Sequence, residues 1–313
     1  MELIPDDIDL SAYSDEPDFR AQVRSAAEFA EWVKADLDPH ARVDTAPGLM
    51  IQKVRGLLHF RPGEVTVWAG YNGHRKSMFT SQAMIDLAAQ GERVLIVSLE
   101  MMPWRTMSRM TRQACGMANP APQFIDRFHE WADGRIWLFD HMGRISPSRA
   151  LALCRYFAEV HKGTHVVLDS WMMICGSEEH LDEQKQFSTD LCRLAQQSGL
   201  HVHVVAHCRK PSGGNSEEKV PTRYDIRGAG AISDQAANTL MVWMNKVKFA
   251  TLDTFPNDAN ALAQPCAVLK CDKQRNGKWE GSIQVWFDQE SLRFCNDRTS
   301  KVDPYPFITK LAV

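Results

Sequence analysis

The sequence predicts an α/β fold with a mostly parallel central sheet, helices on both faces, and an antiparallel hairpin at the C-terminal end. Three observations predict it. From residue 64 onward, short β-rich runs alternate with helical runs at the spacing of strand–crossover–strand units. A glycine-containing turn lies between the first of these runs and the helical run after it. Near the end, two β-rich runs are joined directly by a turn-rich segment, Lys273-Gln-Arg-Asn-Gly277-Lys, which reads as a hairpin.

The 313 residues can bury a sizeable core, and 44% hydrophobic with 24% charged residues excludes disordered and fibrous classes. No stretch approaches the ~20 uncharged apolar residues of a membrane span, so no membrane partner is expected and the default location is the cytoplasm, a host's if the chain is phage-encoded. The eight cysteines contain no CxxC pair and read as reduced core thiols. A net charge of -3 argues against coating nucleic acid with the whole surface and leaves room for a local basic channel.

The elements follow in order. Residues 2–18 carry seven carboxylates and no Lys or Arg, so 1–17 is expected to be a flexible acidic arm. Segment 18–49 is expected to hold a helix and a linker. In it Phe19, Val23, Ala26, Ala30, Val33 and Leu37 recur at steps of four and three, one apolar stripe that must pack on its own domain or on a neighbouring subunit. The main domain is expected over 50–298, with strands at 64–69, 93–99, 135–140, 164–169, 201–206 and 238–243, and the hairpin at 266–272 and 281–287. Ser146 with Pro147 is a cap and first-turn pair for the helix through about residue 160, and Gly199 stops a later helix. Residues 299–313 read as a tail.

The first strand leads into Gly70-Tyr-Asn72-Gly73-His74-Arg75-Lys76-Ser77 and at once into a helical run. In that context backbone amides and the helix N-terminus cradle phosphates, Lys76 reaches the outer phosphates and the Ser77 hydroxyl holds magnesium. The loop pattern asks for glycine before the lysine, where this chain has Arg75. An arginine there either distorts the loop or adds a phosphate contact, and the sequence leaves both open. It is tolerable if its torsions stay in the ordinary helical region.

Carboxylates close two later strands, Glu100 within Ser98-Leu-Glu-Met101 and Asp169 after His165-Val-Val-Leu, and His207 closes a third. All fall at the edge where open α/β sheets hold ligands. Together with Asp225-Ile-Arg227-Gly228-Ala-Gly230 and Lys273-Gln-Arg275, these segments resemble, over about residues 50–295, the hexameric replicative DNA helicases of the DnaB, Twinkle and phage primase-helicase group. The resemblance implies a RecA-like P-loop NTPase core using ATP and magnesium. Glu100 would activate water, Asp169 with Ser77 would hold magnesium, and His207 would sense the γ-phosphate. Lys273 and Arg275 would enter the site of the adjacent subunit. Arg209, Lys210, Arg223 and Arg227, with Gly228 and Gly230, would hold single-stranded DNA. The activity implied is an ATP-driven helicase moving 5′ to 3′ as a ring, expected to be a hexamer, with a primase or loader protein as further partner. A ring component or loader impaired in turnover by Arg75 is the alternative. About 49 residues precede the motor, so a primase domain is not expected in this chain.

Overall fold

The computed structural model describes residues 2–13, 25–37, 46–176, 181–209, 218–228 and 230–309. Among them run strands β1 (Glu2–Pro5), β2 (Val65–Gly70), β3 (Val94–Ser98), β4 (Ile136–Asp140), β5 (His165–Asp169), β6 (His201–His207), β7 (Asn238–Met244), β8 (Ala267–Gln274), β9 (Gly281–Asp288) and β10 (Arg293–Cys295). They form one sheet in the order β1-β4-β3-β5-β6-β2-β7-β8-β9-β10. From β1 to β7 every pairing is parallel, and from β7 to β10 every pairing is antiparallel. The expected change of character at the hairpin is therefore present, with β8 reaching two residues further than the sequence suggested.

The helices are α1 (Ala30–Leu37), α2 (Lys76–Ala89), α3 (Pro103–Cys115), α4 (Pro122–Ala132), α5 (Pro147–Val160), α6 (Trp171–Cys175), α7 (Leu181–Ser198), α8 (Gly230–Gln235), α9 (Lys246–Thr254), α10 (Ala259–Ala263) and α11 (Pro306–Thr309). Strands β2 to β7 are buried on both faces, and alternate residues feed two apolar layers. Val67, Val166, Leu168 and Val204 face the layer under α5 and α7, whereas Trp68, Val167 and Val205 face the layer under α2 and α3. Ser146 caps α5 as expected, its hydroxyl accepting from the Arg149 amide at 3.2 Å. Gly199, at φ 75, follows the last residue of α7. Among the described residues no helix is long and apolar enough to cross a membrane.

Two terminal segments differ from expectation. Part of the acidic arm is an edge strand, β1, paired in parallel with β4. Ile4 and Leu10 are buried in the core, and Asp6 takes a hydrogen bond from Arg149 at 2.7 Å beside His141 at 2.9 Å. Alternating apolar residues and a specific cation outweigh the charge bias of the arm; residues 14–17 lie outside the described residues. The expected tail is likewise part of the domain through Thr309. Phe307 stacks on Trp131 at 3.6 Å, and the buried Tyr305 hydroxyl donates to Asp86 of α2. That carboxylate also accepts from the Met50 amide at 2.9 Å, so one buried acid ties both ends of the domain to α2. Burial raises the Asp86 carboxyl to about 6 against these donors. In the N-terminal helix Phe19 and Val23 lie outside the described residues, while Ala26, Ala30, Val33 and Leu37 are exposed. These four described residues of the stripe do not pack on the domain.

Three histidines fill the middle of the sheet. The Trp68 indole donates to His203 Nδ1 at 3.1 Å, and His203 Nε2 in turn donates to His165 Nδ1 at 3.1 Å, with Glu92 at 3.6 Å on the far side of His165. His201 donates through Nδ1 to the Arg61 carbonyl at 2.7 Å and accepts through Nε2 from the Thr66 hydroxyl at 2.8 Å. Asn238 donates to that hydroxyl at 3.0 Å. Each ring is thus held as one neutral tautomer, and a second proton would face a donor. Burial pushes His165 and His203 well below the ordinary histidine range and His201 down to about 4.

The sign of the pH dependence follows. An unfolded chain takes up these protons near pH 6.5 and the fold refuses them, so stability is full above about 6.5 and falls as pH drops toward 4. His201 alone accounts for roughly 3 kcal/mol over that range. Urea midpoints measured from about pH 8 to about pH 5 should fall below 6.5, and His201→Gln should flatten the fall. A flat profile in the parent protein would show that the fold accepts the protons.

Candidate active site at the strand ends

The strand order sets β3, β5, β6 and β2 side by side, all pointing the same way, at about 4.8 Å spacing. Their C-terminal ends therefore present Glu100, Asp169, His207 and the loop 70–77 in one row. Residues scattered over more than a hundred positions of sequence meet because the sheet is parallel and in register.

Lys76 is the centre of the row. It opens α2, and its buried ammonium donates to the Tyr71 carbonyl at 3.0 Å and to His207 Nδ1 at 3.1 Å. Burial lowers its pKa, and Asp169 and Glu100 work in the opposite direction. Glu100 is half exposed; the Ser170 hydroxyl donates to its Oε1 at 2.6 Å, and His207 Nε2 stands 4.0 Å from the same oxygen. His207 beside it, with help from Ser170 and Lys76, pulls the Glu100 carboxyl down to about 2 against the opposing effect of burial. Asp169 is raised by burial, with the Ser77 hydroxyl bonding to it and Lys76 nearby opposing the shift. Ser77 and Asp169 form an all-oxygen donor pair beside a phosphate loop. That pair suits magnesium, which takes one or two protein oxygens and completes its shell from phosphates and water.

The loop itself is built for close approach. A Cβ on Gly70 would collide with the Val242 carbonyl of β7, and Gly73 sits at φ 77 with the Lys246 ammonium near it. His74 is fully buried, and its Nδ1 accepts from the Met244 amide at 3.0 Å, which ties the loop to β7. Asn72 and Gly73 are exposed at the crest. The amides of Lys76 and Ser77, in the first turn of α2, have no carbonyl within the helix to bind and are free for an anion.

Arg75 departs from expectation. Its torsions, φ 57 and ψ 28, are left-handed rather than ordinary helical: the backbone keeps the conformation that glycine would take. A residue with a Cβ pays roughly 1–2 kcal/mol there. The loop keeps the backbone that glycine would give, and the side chain packs on two aromatic rings. Its guanidinium lies 3.9 Å from the Phe287 ring centroid on β9 and 5.6 Å from that of Phe249 on α9. Half-buried cation–π contacts of this kind contribute about 0.5–2 kcal/mol, enough to offset the backbone cost.

The other expected residues fall into two groups. Arg209, Arg223 and Arg227 gather beyond the end of β6; the Arg209 amide donates to Asp225, and the Arg227 amide donates to the His207 carbonyl, each at 2.7 Å. Lys210 lies outside the described residues. Gly228, at φ 61, is buried with its carbonyl accepting from Trp171, and Gly230 begins α8 in open space. Lys273 and Arg275 are not brought to the row. Gln274 pairs with Asn238 at the start of β7, the opposite edge of the sheet from Lys76 and about 20 Å away along the strand. There the Lys273 ammonium donates to the carbonyls of Ser233 (3.1 Å) and Asp234 (2.7 Å), and Arg275 donates to the latter at 3.3 Å.

Sequence reading missed Ser170, Lys246 and Arg109. Ser170 follows Asp169 directly and was within reach of strand-end logic. Arg105 and Arg109 are four apart on α3, a spacing that shares a helix face; burial and the neighbouring Arg105 lower the Arg109 pKa, and Asp169 works in the opposite direction. Lys246 had no local signal, because only the parallel pairing of β2 with β7 sets it beside Gly73.

The fold and this row define a P-loop α/β domain with strand-end carboxylates. The chain belongs to the AAA domain family, whose model matches residues 50–213. Its fold is shared by a solved ATPase domain, with a TM-score of 0.72 at 14% identity over 88% of this chain and 99% of that one. It is shared also by a DnaB-like replicative helicase described with its interactions with primase, with a TM-score of 0.70 at 14% identity, over 88% of this chain and 67% of that one.

If stacking offsets the strain at Arg75, the two must be energetically coupled. Phe287→Leu should cost about 1 kcal/mol more in the parent than in the Arg75→Gly background, read from urea unfolding without nucleotide. Additive effects would separate the stack from the loop.

Proposed function

We propose that this chain is the motor of a replicative-type DNA helicase, which hydrolyses ATP at the interfaces of a ring and moves 5′ to 3′ on single-stranded DNA. The observation that carries this is the separation of Lys273 and Arg275 from the row that holds Lys76, Glu100, Asp169 and His207. A hydrolytic site wants a cation at the outer phosphate, and this chain holds its arginine about 20 Å from its own loop, within reach of another copy only. The exposed apolar stripe of Ala26, Ala30, Val33 and Leu37 supports the same reading, as a surface for the neighbouring subunit.

The chemistry divides among the residues. The Lys76 ammonium and the first amides of α2 neutralise the β/γ-phosphates. Glu100, held ionised by its neighbours, accepts a proton from or orients the attacking water. Ser77 and Asp169 would hold magnesium, which supplies charge neutralisation across the phosphate oxygens when bound. His207, bonded to Lys76 on one side and close to Glu100 on the other, is set to register loss of the γ-phosphate and pass it through its own carbonyl to Arg227. The left-handed torsion at Arg75 favours turnover over an impaired ring, because the loop backbone that glycine would give is retained.

Three outcomes test this. Lys76→Ala and Arg275→Ala should each remove most DNA-stimulated turnover, the arginine by a factor on the order of 10³ or more while leaving ATP bound. Mixing the two variants should restore part of the activity, since some interfaces then carry neither defect; no recovery on mixing would place Arg275 outside the neighbouring site. Neutralising Arg209 and Arg227 should flatten the salt slope of single-strand binding by about 0.7 per lost contact.

A further inference from the structure

We propose that Tyr224 is a stacking platform for an unpaired base of single-stranded nucleic acid, an inference that rests on the nucleic-acid reading above and adds a base contact to it. Tyr224 is 80% exposed, more than any other large apolar side chain among the described residues. The backbone on either side of it, by contrast, is held. Thr222 donates to Asp225 through its amide (2.7 Å) and its hydroxyl (2.9 Å), and the Arg223 amide donates to Asp272 at 2.6 Å. Cys208 bridges to the buried Ile226. A rigid mount that presents a ring to solvent gains nothing for the fold. It is what a stacking surface requires, because little ordering is left to do when a base arrives.

The surroundings select the ligand. The Arg223 guanidinium lies 5.1 Å from the ring centroid and donates to the phenol oxygen at 3.0 Å, so it borders the ring. Arg209 and Arg227 are exposed on either side in the chain. Asp225 is engaged by Thr222, Asp272 by the Arg223 amide and Lys270, and Glu280, which also faces Arg223, accepts from the Gln274 amide at 3.2 Å. An aromatic face bordered by guanidinium groups matches a base with its flanking phosphates, and every base offers a π-face, so the contact carries little sequence preference. Among the described residues, a protein partner would find one exposed ring beside cations. The mount also has a direct line to the row of strand ends, because the Arg227 amide binds the His207 carbonyl and His207 binds Lys76.

The experiment compares two oligonucleotides of equal length, one of thymidines and one of abasic sites, at several salt concentrations, with the full chain and its Tyr224→Ala, Tyr224→Phe and Arg223→Gln variants. Tyr224→Ala should weaken binding of the thymidine strand by roughly 5- to 150-fold, with its salt slope and the abasic affinity unchanged. Tyr224→Phe should bind like the parent. Arg223→Gln should weaken both strands and flatten the slope. Equal losses on both strands, or no loss with Tyr224→Ala, would overturn the stacking role while leaving nucleic-acid binding in place. A change in oligomeric state with Tyr224→Ala would make the ring a subunit contact instead. Failure of the parent to bind either strand would remove the nucleic-acid reading itself, and the stacking role with it.

Discussion

The site depends on one buried cation. The Lys76 ammonium is tolerable among apolar layers only because the Tyr71 carbonyl and His207 Nδ1 accept from it and the carboxylates of Asp169 and Glu100 lie close by. Each of those groups sits at the C-terminal end of a different parallel strand. The cation therefore needs the strand order β3-β5-β6-β2, and the strand order brings four reactive groups together at one edge. Glu100 is held ionised by the same neighbours, so a single electrostatic arrangement serves both stability and the chemistry proposed for it.

Arg75 shows which part of a phosphate loop is fixed and which can vary. The torsion is fixed, since β7 packs against Gly70, and His74 ties the loop to Met244. The side chain can vary if something offsets the cost of a Cβ at φ 57. Phe287 and Phe249 can do so because the antiparallel end of the sheet and α9 bring two aromatic rings to the loop. The departure from the pattern is thus a trade between backbone strain and stacking.

Much of this was legible in the sequence, for physical reasons. Strands β2 to β7, buried on both faces, are continuous β-rich runs, and the hairpin strands β8 and β9 are marked by the turn between them, so all eight expected strands are present; carboxylates at the strand ends fall where ligands bind in such sheets. What was not legible depends on partners distant in sequence. The acid-rich start reads as an arm until Arg149 and the edge of β4 are known to face it. The terminal segment reads as a tail until Asp86 and Trp131 supply its partners. Local pattern carries the element and the strand end; it does not carry which surface is waiting for them.

Under the motor reading, the same distinction bears on how a signal would cross the domain. The row of strand ends and the perch of Lys273 and Arg275 lie at opposite edges of the sheet, and the strands between them are rigid. The segment bonded to His207 through Arg227 runs on through Gly228 to α8, which begins at Gly230 and is about 9 Å long. The C-terminal carbonyls of α8, on Ser233 and Asp234, hold Lys273 and Arg275. Those carbonyls are the negative end of the helix, where cations are favoured, and they compete with any phosphate on a neighbouring copy for the same guanidinium. In the reading proposed above, this short helix would join the nucleic-acid segment at its start to the trans-acting cations at its end. Strand engagement at one edge would then alter how readily Arg275 leaves its perch at the other, the coupling that the proposed motor would require.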